Sequence, residues 1–329
     1  MAKYRIIKPK NHDEWLKHRL AGIGSSDVGT IIGVNPYETP YQLWARRKGI
    51  LPNKEENFLM KAGHYLEDAV SRFYADATGA DIVKSSAGDW LVVDTEHDWR
   101  RVSPDRFYYP EGAKRSQKNK CILECKTTQM DINIDALPRY WFCQLQYQLG
   151  VCGLEHGALA WLTQGREFGY KEIDFNQDFF DWMMEVVDDF FIRYIQGDEE
   201  PLVSNVEDVK IKFPNSIAGK SVEVDKEITF ENEQGEHVTM SVSEVCMKLR
   251  EATDYANKFG KMKEHYQDVL KGYMCDAEYL VDDEKKIIAS WKNNSTTRKF
   301  DSKRFAKDYP ETFQMYSTEV TGARVFRFK

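Results

Sequence analysis

Three ionisable residues in the middle of the chain have the types and spacing for metal-dependent hydrolysis. Asp105 precedes a short apolar segment, and Glu124 and Lys126 lie at the end of the next one. Successive side chains of a strand point to opposite faces, so Glu124 and Lys126 should share a face while Cys125 points away. Because Mg²⁺ prefers carboxylate and carbonyl oxygens, Asp105, Glu124 and the backbone carbonyl of Cys125 form a candidate ligand set. A lysine beside the ion can orient water, take its proton or neutralise phosphate charge. The alternative is an ordinary exposed hairpin with a surface salt bridge.

A second polar cluster lies near the start of the chain, where Arg19 precedes a Gly-Ile-Gly turn. We expect Ser25, Ser26 and Asp27 to cap a helix over residues 28–32. A helix N-terminus with hydroxyls, free backbone N–H groups and a nearby arginine predicts a phosphate-binding site. The alternative is that the serines only cap the helix. Asp27 is predicted to complement the helix dipole rather than to bind metal.

Two predicted helices carry polar residues where apolar ones would be expected. A helix over residues 54–78 has one apolar face that includes Glu67, with His64 off that face as a surface or capping residue. A buried carboxylate is costly unless paired, so Glu67 should meet a metal ion, a water molecule or a lysine. A helix over residues 137–151 places Gln144 and Gln148 on one face, and both amides need hydrogen-bond partners.

Five motifs, in this order and spacing, resemble the YqaJ-type viral recombinases, which belong with lambda exonuclease to the PD-(D/E)xK nuclease superfamily. The motifs are Arg19-Leu-Ala-Gly-Ile-Gly-Ser-Ser-Asp27, Gly33-Val-Asn-Pro-Tyr-Glu-Thr-Pro-Tyr-Gln-Leu-Trp44, Gly63-His-Tyr-Leu-Glu67, the segment from Asp105 to Lys126, and Gln144-Leu-Gln-Tyr-Gln-Leu-Gly150. The resemblance covers roughly residues 10 to 200. It extends more loosely to Arg324-Val-Phe-Arg327, which is similar to an ending of YqaJ-type proteins.

The resemblance implies an α+β fold with a restriction-endonuclease-like PD-(D/E)xK core, in which helices flank a central mixed sheet. The residues with implied catalytic roles are Asp105, Glu124, Lys126, Glu67 at the edge of the metal site, and Gln144. Arg19 and Ser26 match the family positions that hold the terminal 5′-phosphate of the substrate. The implied cofactor is Mg²⁺, as one or two ions, with Mn²⁺ as a substitute. A ring-shaped trimer and a single-strand annealing protein as partner are implied as well.

The remaining sequence predicts the elements that position these residues. The predicted helices are residues 11–20, 28–32, a helix opened by Thr39-Pro40 and ended by Gly49, 54–78, 137–151 and 177–195. The predicted strands are residues 81–84, 90–94, 99–103, 107–109, 121–123, 157–163 and 168–175. We expect the first three strands to form one sheet with the hairpin that carries Asp105 and Glu124.

Two domains are predicted, a nuclease domain over residues 1–204 and a C-terminal accessory domain over residues 205–329. The second comprises a connector with short strands, one long helix over residues 241–274, and two or three strands around a basic helix at 301–309. Residues 285–329 have a net charge of +7, whereas the whole chain has −7. A local positive field can hold a polyanion on an acidic protein, although a solvated surface is the alternative.

Composition excludes several classes of protein. No apolar run approaches the ~20 residues of a membrane span, and the first residues lack a signal-peptide core, so we expect a cytoplasmic protein without a membrane partner. The six cysteines form no C-x-x-C pair, which argues against a zinc ribbon or a disulfide framework. Their spacing also differs from the four-cysteine iron–sulfur pattern, so no cluster is expected.

The leading hypothesis is a metal-dependent 5′→3′ double-strand DNA exonuclease of a phage or prophage recombination system, acting at DNA ends in the bacterial host. It would leave 3′ single strands for an annealing protein. One alternative is a DNA-binding or assembly protein that keeps the fold without catalysis, which the presence of Asp105, Glu124 and Lys126 disfavours. The other is a site-specific or structure-specific endonuclease.

Overall fold

The computed structural model of the chain describes residues 4–54, 57–83, 91–224, 226–231, 237–293, 300–318 and 326. The chain divides into two compact units, Met1–Pro214 and Asn215–Lys329. Lys84 and Trp90, at the ends of two predicted strands, lie outside the described residues, as do Arg324 and Arg327 of the C-terminal motif.

The first unit contains most of the predicted helices and strands with small shifts at their ends. Its described helices are α1 (His12–Leu20), α2 (Ser25–Ile31), α3 (Pro40–Arg47), α4 (Phe58–Thr78), α5 (Arg139–Cys152), α6 (Gln177–Phe190), which continues as a π-helical segment over Phe191–Gln196, and α7 (Val206–Lys212). Its described strands are β1 (Tyr4–Ile7), β2 (Ile23–Gly24), β3 (Asp81–Val83), β4 (Leu91–Asp94), β5 (Arg100–Val102), β6 (Arg106–Tyr109), β7 (Cys121–Thr128), β8 (His156–Thr163) and β9 (Glu167–Asp174). The predicted α+β class is confirmed.

The central sheet is mixed and has the strand order β3-β6-β7-β8-β9. Only the β7–β8 pair in this described sheet is parallel, and α5 forms the connection between these two strands. β6 pairs with β7 only as far as Arg106 opposite Leu123, so the second half of β7 extends past the beginning of β6. This extension places Glu124 and Lys126 beyond the β6 ladder.

The second sheet corrects one prediction. β4 and β5, expected to continue the sheet of the hairpin, instead form a separate sheet of order β1-β4-β5-β2, whereas β3 pairs with β6 as expected. The cause is an N-terminal strand that was not predicted, since Tyr4 pairs with Asp94, a residue far away in the sequence. β4 thereby gains partners on both sides, with buried side chains along Leu91–Val93.

The two faces of the central sheet are covered by different helices. Alternate β7 residues Cys121, Leu123 and Cys125 pack in one apolar cluster with Val70 and Tyr74 of α4. Ile122 lies in the other cluster, which includes buried residues of α2, α5 and α6. Since Glu124 and Lys126 have the same parity as Ile122, they face α5, as the alternation predicts.

Helix ends explain several boundaries. Thr39 caps α3 by accepting from the backbone N–H of Gln42, and Pro40 is the first helical residue, as predicted. α7 was not predicted. Its Asp208 is fully buried and accepts hydrogen bonds from Thr39 and Gln42 of the α3 N-terminus, which holds α7 against the first unit.

The second unit has hairpins and one long helix. β10 (Glu227–Glu231) and β11 (His237–Ser241) pair antiparallel and lead into α8 (Val242–Met274), which confirms the predicted long helix. A second hairpin of β12 (Tyr279–Val281) and β13 (Ile287–Ser290) precedes α9 (Ser302–Asp308) and α10 (Pro310–Met315). Ser241 and Glu244 form a capping box that starts α8. No helix in the described part of the chain combines the length and the apolar character needed to cross a membrane.

Candidate active site

The site lies where β7 extends past β6. Asp105 immediately precedes β6, and its Oδ2 accepts a hydrogen bond of 2.7 Å from the backbone N–H of Cys125. The N–H and C=O of one strand residue point to the same side, so the Cys125 carbonyl also faces the side of Asp105. The Cys125 side chain points away into the apolar cluster below α4. The predicted ligand set is therefore brought together.

Glu124 is the centre of the hydrogen-bond network. Its side chain is 2% exposed, and Oε1 accepts from Lys126 Nζ at 2.7 Å and from the amide of Gln144 at 2.5 Å. The other oxygen, Oε2, accepts from the amide of Gln148 at 2.8 Å. Gln144 Oε1 in turn accepts from Lys126 at 2.9 Å. Both glutamines on the predicted face of α5 thus contact the carboxylate.

A cavity of about 920 Å³ opens over this network. Residues from helices α1, α2, α4 and α5 and from strands β2, β4, β5, β6 and β7 line it. Among them are the predicted site residues Arg19, Ser26, Glu67, Asp105, Glu124, Cys125, Lys126 and Gln144. All eight residues predicted from the sequence therefore line one cavity.

Neighbouring carboxylates of the cavity oppose the ionisation of Asp105 and of Glu67. Burial raises the pKa of Asp105 well above its ordinary value, and the charges of Glu124 and Glu67 raise it further. The pKa of Glu67 is raised as well, first by burial and then by Glu124, although His64, Arg106 and Lys126 act in the opposite direction. A site with this electrostatic balance favours a bound cation or protons.

Lys126 places a positive charge directly beside the Glu124 carboxylate. Burial acts to lower its pKa, but the charges of Glu124 and Asp105 outweigh burial and raise it. Lys126 therefore keeps its proton. The Cys125 thiol is no candidate nucleophile, because burial and then the charge of Asp105 raise its pKa well above the ordinary value.

The donor set fits a hard divalent cation. Asp105, Glu124 and the Cys125 carbonyl offer the oxygen atoms that such an ion prefers. Besides burial, the charge of Glu124 raises the pKa values of Asp105 and Glu67, and a cation would offset that charge. Within the described residues, no three His, Cys, Asp or Glu side chains already converge as a metal cluster. One oxygen of Glu124 is bound to the Lys126 ammonium, which is one reason why Glu124 does not converge with the other carboxylates.

The polar cluster after α1 forms the other end of the cavity, with one correction to its capping. Gly24, rather than the serines, is the N-cap of α2, and Asp27 accepts from the Gly24 N–H at 3.0 Å. Because the Asp27 side chain caps the N-terminus of α2, the hydroxyls of Ser25 and Ser26 can bind other groups. Ser26 Oγ accepts from Arg19 at 2.5 Å, which joins the two predicted phosphate-binding residues.

The carboxylate of Asp27 interacts with two arginines, Arg19 and Arg47, at this end of the cavity. Burial acts to raise its pKa, but Arg19, Arg47 and the Gly24 N–H together lower it below the ordinary value. Arg47 approaches to 2.5 Å, and Arg19 lies 4.0 Å away. This geometry agrees with the prediction that Asp27 is a structural residue.

Several cavity residues were not among the predicted site residues, including His64, Arg106 and Ser25. His64 is exposed, as expected, but it lines the cavity on the same helix as Glu67. Arg106 lies next to Asp105 and also lines the cavity. Ser25 accepts from the Gln148 amide at 3.2 Å, so it connects α2 to α5. The alternation of side chains along β6 would have indicated Arg106 as a cavity residue. The Ser25–Gln148 contact joins residues 123 positions apart, so no local sequence pattern predicts it.

Comparisons with known proteins agree with the resemblance seen in the motifs. Residues 14–155 match the family model of the YqaJ-like viral recombinase domain. A curated relative, the uncharacterized protein YqaJ of Bacillus subtilis (strain 168), is 25% identical over 317 residues, which cover 94% of this chain and 92% of the relative. The resemblance to YqaJ-type proteins is confirmed.

Two exonucleases are among the solved structures to which the chain is similar. The alkaline exonuclease LHK-Exo from Laribacter hongkongensis, in complex with dAMP, is 15% identical with a TM-score of 0.44, covering 61% of this chain and 97% of that chain. A phage-related exonuclease from Haemophilus somnus 129PT is 13% identical with a TM-score of 0.38, covering 53% of this chain and 94% of that chain.

Proposed function

From the match of residues 14–155 to the YqaJ-like viral recombinase domain, we propose that the chain is a metal-dependent 5′→3′ double-strand DNA exonuclease of a phage or prophage recombination system. One observation carries the proposal. The hydrogen-bonded Glu124–Lys126 pair and the Arg19–Ser26 pair line the same cavity. In this proposal, Arg19 and Ser26 would form a phosphate-binding end of the cavity, and Glu124 and Lys126 would form its hydrolytic end.

Asp105, Glu124 and the Cys125 carbonyl would hold Mg²⁺, as one or two ions for which Mn²⁺ can substitute, and Glu67 would lie at the edge of the site. When bound, the metal would supply positive charge to the scissile phosphate and lower the pKa of water. The hydrogen bonds that Gln144 and Gln148 donate orient Glu124 before substrate arrives.

Hydrolysis requires attack of water on phosphorus and departure of the 3′ oxygen. The P–O3′ bond breaks, so the released nucleotide keeps its 5′-phosphate and gains a 3′-hydroxyl, while the new chain end carries a 5′-phosphate. Lys126 is held protonated by its neighbours, which favours neutralisation of phosphate charge over proton abstraction among its candidate roles. Gln144, which bridges Lys126 and Glu124, keeps the ammonium in place.

The regenerated 5′-phosphate gives Arg19 and Ser26 a function at each step. Arg19 would bind the terminal phosphate with charge-assisted hydrogen bonds, and Ser26 would add a hydroxyl donor. Each cleavage recreates the group that this end of the cavity binds. Recognition of the 5′-phosphate therefore favours repeated digestion of one strand and leaves 3′ single strands.

Four further assignments accompany this proposal. The 3′ strands would pass to a single-strand annealing protein, the nuclease would assemble as a ring-shaped trimer, and both would act in the cytoplasm of the bacterial host. Residues 1–204 would form the nuclease domain and residues 205–329 an accessory domain, whose basic end between residues 285 and 329 would engage duplex DNA or a partner.

The test is digestion of duplex DNA labelled at either end, with and without Mg²⁺, and with 5′-phosphate or 5′-hydroxyl termini. We expect Mg²⁺-dependent release of 5′-mononucleotides, faster from phosphorylated ends, and no cutting of closed circular DNA. Cleavage of closed circles would indicate an endonuclease instead. Binding without cleavage under every metal condition would indicate a DNA-binding protein that retains only the fold.

A further inference from the structure

The long helix α8 of the second unit carries apolar residues at a spacing of alternately three and four residues. The positions of this repeat, which we term the α8 stripe, are Val242, Val245, Leu249, Ala252, Ala256, Phe259, Lys263, Tyr266, Leu270 and Tyr273. All except Lys263 are apolar. A heptad spacing sustained over more than four repeats is typical of a helix that packs along its whole length against another helix.

The α8 stripe is exposed along most of this length. Phe259 and Tyr266 are each 60% exposed and Tyr273 is 78% exposed, whereas Val242 and Val245, next to the β10–β11 hairpin, are half-buried. A large aromatic side chain buries about 150–250 Å² when it is fully covered. With Leu249 and Leu270 the stripe therefore offers several hundred Å² on a helix about 50 Å long. This area approaches the roughly 800 Å² per partner of a stable protein interface.

The sizes of the side chains indicate how a second helix would be oriented. The first half of the stripe ends in the small residues Ala252 and Ala256, whereas the second half begins with the bulky Phe259 and Tyr266. A parallel pair would place alanine opposite alanine and aromatic opposite aromatic. An antiparallel pair places Ala256 opposite Phe259, and each layer then combines a smaller with a larger side chain.

The antiparallel layers are specified by the sequence. They pair Val242 with Tyr273, Val245 with Leu270, Leu249 with Tyr266, Ala252 with Lys263, and Ala256 with Phe259. Lys263 then lies opposite a methyl group, which leaves room for its stem to run along the stripe and its ammonium to reach water. A parallel pair would instead place two Lys263 side chains in one layer.

The charges of the helix agree with the same orientation. Residues 242–257 have a net charge of −1 and residues 258–274 a net charge of +2. An antiparallel pair sets the acidic half of each helix beside the basic half of the other. We propose that α8 is a self-association helix, whose stripe packs antiparallel against the same stripe of a second copy of this chain.

The main test compares the full-length chain with two matched variants by sedimentation velocity over a dilution series. F259D introduces a charge into each of the two central Ala256–Phe259 layers of the dimer, and we expect the dimer dissociation constant to rise about 100-fold or more. M247D changes a residue of the same helix that is also 60% exposed but lies off the stripe, and it should leave the constant within about threefold. The trimer proposed above does not involve the α8 stripe, so F259D should leave it intact and remove only the pairwise association. A wild-type chain without a pairwise association step, or a pairwise step that F259D leaves unchanged, would overturn the proposal.

A second variant keeps the test valid if F259D proves unstable. K263L removes the one charge from the stripe, so the dimer should become about tenfold tighter, with unchanged helix content by circular dichroism. Weaker association of K263L would contradict the proposed layers. DNA digestion by these variants reports separately on the nuclease, because α8 contains none of the residues assigned to the catalytic cavity.

Orientation is tested by disulfide trapping in a chain whose Cys246 and Cys275 are replaced by serine. Chains with V245C are mixed with chains with L270C and oxidised. An antiparallel pair gives the mixed disulfide, because these positions share a layer, while neither variant alone gives a cross-linked dimer. A disulfide dimer from V245C alone would establish a parallel pair and overturn the antiparallel arrangement.

Discussion

The amide of Gln148 donates a hydrogen bond of 2.8 Å to Glu124 Oε2 from a position with no solvent exposure. The same nitrogen lies 3.2 Å from Ser25 Oγ. Gln148 therefore connects the Glu124 carboxylate of β7 with the first residue of α2.

Q148L should lower kcat about 10- to 100-fold and change KM little, because Glu124 loses the donor that orients its second oxygen. Q146L is the matched control, since Gln146 is equally buried on the same helix but bonds to the backbone at Asp174 and Asn176. The control should lose thermal stability and keep its turnover per folded molecule. Equal kinetic effects of the two substitutions would contradict a role for Gln148 in the site.

Replacement of Asp105, Glu124 or Lys126 by alanine should each reduce Mg²⁺-dependent digestion by about 10² to 10⁴ while the far-UV spectrum stays native. K120A provides a control, because Lys120 is a half-buried lysine before β7 that lies over the Phe107 ring, away from the cavity. Near-normal turnover by any one of the three variants would remove that residue from its assigned role.

R19A should reduce the preference for a 5′-phosphate over a 5′-hydroxyl end by about 10- to 100-fold, since hydrogen bonds to charged groups contribute about 1.5–3 kcal/mol. Duplex binding away from the end should change less. Competition between the two kinds of end in one reaction measures the preference directly. R115A, which removes an exposed arginine paired with Asp81, should leave the preference unchanged. An equal loss on both ends would mean that Arg19 does not read the phosphate.

D27N should destabilise the fold by about 3 kcal/mol at pH 7, because it leaves Arg19 and Arg47 without their buried carboxylate. The pKa of Asp27 is lower in the folded chain than in the unfolded chain, so its stabilisation is present above the ordinary carboxyl pKa of about 4 and is lost as pH falls through the lowered value. Urea unfolding from pH 7 down to about pH 3 should therefore show the difference between wild type and variant shrinking. A difference that grows toward acid pH would contradict this assignment.

A chain that ends at Pro214 should be more stable than one that ends at Ser204. The shorter chain lacks Asp208, which accepts from Thr39 and Gln42, and these two groups then lose a buried partner. Thermal unfolding of the two fragments measures the difference. If the accessory region binds DNA, the longer fragment should also show a smaller salt dependence of duplex binding than the full chain. Equal melting temperatures would show that α7 does not complete the first unit.

Local patterns predicted the parts of the site that lie within single elements. The alternation of β7 placed Glu124 and Lys126 on one face, and the helical spacing of α5 placed Gln144 and Gln148 together. The cap of α2 was assigned to the wrong residues, because a carboxylate at the third helical position and a serine at the first can each satisfy the same N-terminal N–H groups.

Long-range pairing could not be predicted in the same way. β4 joins β1 rather than the strands of the hairpin, and nothing in residues 91–94 distinguishes one buried partner from the other. The Ser25–Gln148 contact likewise depends on how α2 and α5 pack. The order of the motifs, through the family resemblance, predicted that distant residues share one site. The hydrophobic periodicity alone does not predict this.

The residue before Asp105 explains why a backbone oxygen of Cys125 is available. Continuing the register of Arg106 opposite Leu123 by two further pairs would set Pro104 opposite Cys125. Proline has no N–H, so Pro104 cannot donate to the Cys125 carbonyl. The Asp105 carboxylate takes over the Cys125 N–H instead. In a P104A chain, the backbone N–H of residue 104 is free to donate to the Cys125 carbonyl and to extend the pairing of β6 with β7. The substitution would then occupy that oxygen without changing any catalytic side chain.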